Sequence, residues 1–148
     1  MDIVSSNVRS RMMAAIKGSN TTPERVVRRL LHAEGLRFRL HEKKLPGRPD
    51  IVLRKHNLAV FVHGCFWHRH PGCRFAYSPR SNKAFWQKKF QGNVRRDSRT
   101  LDELNRLGWR TLVVWECLLK GQSHQQDLGR RLARIVRSRA KRSQAPAV

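Results

Sequence analysis

Acidic residues are scarce in this chain: 10 Asp and Glu stand against 32 Lys and Arg, a formal charge of +22. Such an excess strains a compact fold by self-repulsion and calls for a polyanionic partner, nucleic acid before a membrane surface. Long apolar runs are lacking too. No stretch approaches the roughly 20 residues of a spanning helix, and Met1–Val8 is polar where a signal peptide carries an apolar core. The expectation is therefore a cytoplasmic protein, nucleoid-associated through nucleic-acid binding, with no membrane partner. Cysteine is limited to 3 residues, an odd number that argues against a disulfide framework and leaves thiols for metal. There is no internal repeat and no linker-like segment. The 148 residues suffice for one domain with a real core and are too few for two, so residues 1–148 are read as a single domain.

What is present is concentrated between Cys65 and Cys73. Two thiols and two further imidazoles fall in Cys65-Phe66-Trp67-His68-Arg69-His70-Pro71-Gly72-Cys73, directly after the apolar run Leu58–Val62. Cys117 follows a second apolar run, Thr111–Trp115. Cys65, His70, Cys73 and Cys117 together make a Cys3His set for tetrahedral zinc, and four protein ligands leave no open position, which makes such a zinc structural. The competing reading is buried thiols beside surface histidines.

Around these runs the chain reads as α/β. Asn7–Lys17 spaces Val8, Met12, Met13 and Ile16 as a short basic helix or arm (residues 1–18). Thr21 and Glu24 form a capping-box pattern with Pro23 in the first turn, followed by the stripe Val26, Val27, Leu30, Leu31 and a Gly35 cap. Leu36–Leu40 alternates as a strand, and the Leu45–Pro49 turn delivers Asp50 to a strand at Ile51–Leu53. Lys55-His56-Asn57 turns back into a strand ending at Val62. Asn82–Leu107 reads as helix with an interruption near Gly92, Trp109–Trp115 as a strand, and residues 127–148 as a basic helix and tail.

Several residues carry two readings. Asp50 after its rigid turn supplies a carboxylate for a hard cation such as Mg2+, to which Val62 could add only its carbonyl oxygen; alone, an Asp after a turn is more often a capping or solvated residue. His63 and His68 lie where imidazoles could hold or donate protons. Phe66, Trp67 and Trp86 are either core or wedges for unstacking bases. Asp97 and Glu24 have ordinary readings as a surface ion pair and a capping partner. Arg130, Arg131, Arg134, Arg137 and Arg139 offer phosphate contacts without sequence information.

Leu45-Pro46-Gly47-Arg48-Pro49-Asp50, Val62-His63-Gly64-Cys65-Phe66-Trp67-His68, Asn93–Asp97, and Gly108-Trp109-Arg110 through Trp115-Glu116-Cys117, in this order along nearly the whole chain, resemble the very-short-patch-repair mismatch endonuclease family. The resemblance implies a restriction-endonuclease-like three-layer core, with a central mixed sheet flanked by helices, and a structural Zn2+ on Cys65, His70, Cys73 and Cys117. It implies Mg2+-dependent nicking of duplex DNA 5′ to the thymine of a T:G mismatch left by 5-methylcytosine deamination. Asp50 would then be the Mg2+ ligand with the Val62 carbonyl, and His68 would activate water. His63, Glu24 and Asp97 would complete the catalytic set, and Phe66, Trp67 and Trp86 would intercalate. The implied state is a monomer linked functionally to a cytosine-5 DNA methyltransferase and to mismatch-repair proteins. The sequence departs from the family pattern at Val62, where a hydroxyl residue also occurs, and at Pro71-Gly72. The rivals are a non-catalytic, zinc-stabilised protein that binds distorted DNA, and a restriction nuclease on the same fold.

Overall fold

The computed structural model describes residues 20–121 and 125–138; the expected N-terminal arm and the tail beyond Ser138 lie outside them. Helix α1, Thr22–Ala33, starts at the predicted cap. The Thr21 hydroxyl accepts from the Glu24 amide at 3.4 Å, but the Glu24 carboxylate reaches back to Asn20 N–H at 3.0 Å, one residue before the cap. Val26, Val27 and Leu31 are buried. The helix ends where Gly35, at φ +79°, turns the chain, with Gly35 N–H donating to His32 and Leu36 N–H to Leu31. This αL cap consumes the start of the expected Leu36–Leu40 strand: Leu36 is buried beneath the helix, and β1 is only Arg39–Leu40.

β2 (Ile51–Leu53), β3 (Leu58–His63) and β4 (Arg110–Trp115) complete a four-stranded sheet in the order β1-β2-β3-β4. The first two pairings are antiparallel and β3–β4 is parallel, so the sheet is mixed. A 3-10 turn at Arg54–His56 joins β2 to β3, with Asn57 at φ +52° and its side-chain Nδ2 donating to the Gly108 carbonyl. The parallel pair requires a crossover, which helix α2, Lys83–Arg106, provides. The expected break at Gly92 does not occur. One glycine costs only about 1 kcal/mol in a helix, and the apolar residues on both sides of it, Trp86, Phe90 and Leu104, are buried.

Strand periodicity sorts the core into two layers. Leu58, Val60, Leu112 and Val114 pack with Ile51 and Leu53 against α1 and against helix α3, Gln125–Arg137, through Leu128, Leu132, Ala133 and Val136. Ala59 and Phe61 pack on the other face with Leu104 and Leu101 of α2. The result is an α/β arrangement with helices on both faces of the sheet. No helix among the described residues is long and apolar enough to cross a membrane.

Candidate nuclease site and metal cluster

The parallel register explains why residues 52 positions apart converge. His63 pairs with Trp115 across β3 and β4, so Cys65 and Cys117 each leave the sheet two residues beyond the last pair. The loop between them is tightly wound: His68 N–H donates to Gly64, His70 N–H to Cys65 and Cys73 N–H to His70. Glu116 Oε1 accepts the Cys65 N–H at 3.1 Å. Arg69 pins the loop from inside, donating to the Phe66, Ala76 and Tyr77 carbonyls with its guanidinium 3.9 Å from the centroid of Phe90.

The ligand atoms of Cys65, His70, Cys73 and Cys117 lie within 4.8 Å of one another. His70 Nδ1 is 3.6 Å from Cys65 Sγ and 3.5 Å from Cys117 Sγ. Bonds of about 2.0–2.3 Å to one tetrahedral ion separate ligand atoms by about 3.3–3.8 Å, so these positions fit a metal. Pro71-Gly72 forms an exposed turn with Gly72 at φ +68° and leaves the four ligands together. Burial pushes the Cys65 thiol up to about 12, a pKa that a bound cation would reverse. His70 is stacked on Trp115, with centroids 4.3 Å apart.

Beside the cluster opens a cleft of about 1110 Å³, lined by two groups of potential ligands. Glu24, His41 and Asp50 form one, and His63, His68 and Asp97 the other. Asp50 Oδ2 accepts the Val62 N–H at 2.8 Å, which fixes the carboxylate against the end of β3. Burial pushes its pKa up to about 6, opposed by the Val62 hydrogen bond and reinforced by the Glu24 charge. On the other wall His68 Nδ1 lies 2.7 Å from Asp97 Oδ2, contributed by α2. That bond orients the ring and leaves Nε2 for a substrate or water. His63 stacks on His68 at 3.9 Å and is held down to about 4 by burial, with the nearby His68 charge adding to the effect, so it is neutral at pH 7.

Phe66, Trp67, Trp86 and Phe90 form one cluster. Phe66 packs 5.0 Å from Trp67, 5.6 Å from Trp86 and 5.2 Å from Phe90. Trp86 is buried, while Phe66 and Trp67 are half-buried. The exposed aromatic faces belong to Tyr77 and Phe85, at 64% and 61% exposure.

Residues 1–74 match the model of the family described as DNA mismatch endonuclease Vsr. The DNA mismatch endonuclease Vsr of Escherichia coli is 41% identical over 126 residues, covering 85% of this chain and 80% of its own. This chain belongs to the Vsr family. Proteins named as nicking enzymes are also similar. The type II nicking enzyme V.XorIIP of Xanthomonas oryzae pv. oryzae is 46% identical over 134 residues, covering 90% of this chain and 93% of its own. V.NmeAIP of Neisseria meningitidis is 41% identical over 136 residues, covering 92% and 94% respectively.

Membership makes the chain a DNA endonuclease, and the cleft holds every side chain that the sequence reading assigned to catalysis: Asp50, His63, His68, Asp97 and Glu24. Missing from that reading was His41. Its signal is the hairpin register: with Leu40 opposite Ile51, the next residue on β1 falls opposite Asp50. Lys89, Asn93 and Arg96 of α2 also line the cleft, at helical spacing the sequence could have offered.

Proposed function

We propose that this Vsr-family endonuclease nicks duplex DNA 5′ to the thymine of a T:G mismatch, by Mg2+-dependent hydrolysis. The observation that carries the reading is the Asp97–His68 pair, 2.7 Å apart, in the same cleft as the half-buried Asp50 carboxylate. An oriented imidazole beside a cation-binding carboxylate is the minimum equipment for hydrolysing a phosphodiester. Asp50 and the Val62 carbonyl would hold the Mg2+, which supplies positive charge to the phosphoryl oxygens and to the departing 3′ oxygen. His68 Nε2 takes a proton from water as its oxygen attacks phosphorus and the P–O3′ bond breaks. Asp97 stabilises the imidazolium so formed. His63, neutral and stacked on His68, sets the ring plane, and Glu24 orients water or phosphate on the opposite wall.

The Cys65–His70–Cys73–Cys117 cluster holds a structural zinc in this reading, and the sheet with its flanking helices is a restriction-endonuclease-like core. Phe66, Trp67 and Trp86 enter the base stack beside the mismatch. Because Trp86 is buried against Phe66 and Phe90, insertion requires the aromatic cluster to open, with stacking on bases returning about 1–3 kcal/mol per base. The enzyme works as a monomer in the cytoplasm on the nucleoid, downstream of a cytosine-5 DNA methyltransferase whose product yields T:G on deamination, and alongside mismatch-repair proteins.

The test is single-turnover cleavage of paired and T:G-mismatched duplexes in several flanking sequences, each strand labelled, with Mg2+ or EDTA. A Mg2+-dependent nick confined to the thymine strand, and lost in Asp50→Ala with binding retained, is expected. Cutting of both strands of paired DNA would instead identify a restriction nuclease. Mismatch binding without cleavage would identify a recognition module.

A further inference from the structure

His41 lies at the end of β1 with its backbone at φ +47°, a conformation sparsely used by residues other than glycine, asparagine and aspartate, with histidine among the tolerated exceptions. Its N–H donates to the Asp50 carbonyl at 3.3 Å. Its Nε2 lies 3.1 Å from Glu24 Oε2. Glu24 is almost fully buried, at 3% exposure, and a buried carboxylate persists only where donors compensate its lost water. Three donors converge on the same oxygen: Asn20 N–H at 3.0 Å, the Arg28 guanidinium at 3.2 Å and His41. Asn20 directly precedes the cap of α1, and Arg28 lies in the body of the helix. His41 comes from the sheet. With a carboxylate as partner, Nε2 is the N–H donor of the ring.

We propose that His41 is a positioning residue for the nicking reaction, clamping Glu24 of α1 to the strand that carries Asp50, so that two carboxylates from different elements meet one divalent cation at a fixed spacing. Without the clamp, Glu24 is tied only to its own helix, and the distance between helix and strand is free to vary with each fluctuation of the α1 N-terminus. The ligand atoms of Glu24, His41 and Asp50 lie within 4.8 Å of one another, close enough for loosening at one to be felt as lost cation affinity at the others. Loss of a hydrogen-bonding partner behind a metal ligand typically costs about 10–100-fold in affinity. The inference rests on the reading of Asp50 as a cation ligand and goes beyond the orienting role given to Glu24 above, adding its carboxylate to the groups that face the same cation.

The test uses the full-length chain with its Cys/His cluster saturated with zinc. Mn2+ binding is followed by calorimetry, and the Mg2+ dependence of single-turnover nicking is followed in parallel. His41→Asn tolerates the positive φ but shortens the side chain, whereas His41→Gln restores a donor at comparable reach. Expected are a Mn2+ affinity and a half-saturating Mg2+ concentration about 10-fold weaker in His41→Asn, recovery toward wild type in His41→Gln, and no further loss when His41→Asn is added to Glu24→Gln. Circular dichroism melting identifies a variant that has merely unfolded, and His41→Gln then carries the comparison: a folded His41→Gln with wild-type affinity supports the role, and one as weak as Glu24→Gln overturns it. Wild-type affinity in a folded His41→Asn, or an equal loss in the Glu24→Gln background, overturns the His41 role while Asp50→Asn still abolishes Mn2+ uptake. A cleft that takes up no Mn2+, or that keeps it in Asp50→Asn, overturns the underlying reading and the His41 role with it.

Discussion

Gly47→Ala tests whether the turn that presents Asp50 is shaped by contact with helix α2. Gly47 sits at φ +71°, and a Cβ built there falls 2.2 Å from Thr100 Cγ2 and 3.1 Å from Thr100 Oγ1. Two penalties follow. The left-handed backbone costs an alanine about 1–2 kcal/mol. The overlap adds about 1–3 kcal/mol, as for overpacking elsewhere, because a β-branched side chain on a helix has few rotamers into which to withdraw. Gly47→Ala is therefore expected to destabilise by about 2–5 kcal/mol in urea unfolding. Thr100→Ala removes both of the nearest atoms, so the double variant should recover the overlap component and retain the backbone one, a coupling of about 1–3 kcal/mol. The same double variant should regain single-turnover nicking, since Asp50 lies three residues along the turn. Strict additivity of the two substitutions would refute the contact as the reason for glycine at 47.

Asp97→Asn keeps the shape of the His68 partner and removes its charge; single-turnover nicking should fall about 100-fold or more, with duplex affinity by gel shift unchanged. His63 titrates at about 4 when folded, against its ordinary 6.5, so the unfolded chain binds the extra proton between these values. Its contribution is fully present above pH 6.5 and is lost as pH falls toward 4, about 2 kcal/mol between pH 7 and pH 5. His63→Gln should flatten the wild-type fall in urea-unfolding free energy over that range by this amount; an unchanged slope would remove burial of a neutral ring from the account. Cys117→Ser should lose the zinc that wild type retains at about one per chain, measured by atomic absorption after dialysis, and should melt earlier as a result. Retention of stoichiometric zinc by that variant would exclude Cys117 as a ligand.

Much of the architecture was legible because periodicity and punctuation agreed. The Thr21 cap, the Pro46-Gly47 turn and the apolar runs of β3 and β4 each announce an element locally. Cys65 and Cys117 were legible for a related reason: both leave the sheet just past an apolar run, and a parallel pairing of those runs brings them together. Other features depended on tertiary context. Leu36 and Phe38 alternate like strand residues, but Leu36 serves the cap of α1, and burial there outweighs the ladder. Gly92 looked like a break, yet the flanking core positions of α2 hold the helix through it. His41 was invisible for a third reason. Nothing in its neighbourhood marks it, and its meaning arises only when β1 pairs with β2 and places it across from Asp50.

The cleft and the Cys/His cluster are not independent, because one loop serves both. His68 reaches into the cleft and His70, two residues on, into the cluster. The loop between them is turned by Arg69 at φ +57°. Trp115 touches both, edge-on to His63 and stacked on His70. Phe66 and Trp67 anchor this loop to α2, while its other end, at His70 and Cys73, has no regular secondary structure to hold it. A cation drawing Cys65, Cys73 and Cys117 onto one point with His70 would cross-link that end, two residues along the chain from His68. The opposite wall of the cleft is built differently, from the start of α1 and the ends of β1 and β2, where hydrogen bonds to the buried Glu24 and half-buried Asp50 carboxylates do the positioning. In the proposed mechanism the His68 imidazole would be set by a metal-cross-linked loop and the carboxylates by the sheet, and the scissile phosphate would have to fit the gap between two supports whose stabilities respond to different ions.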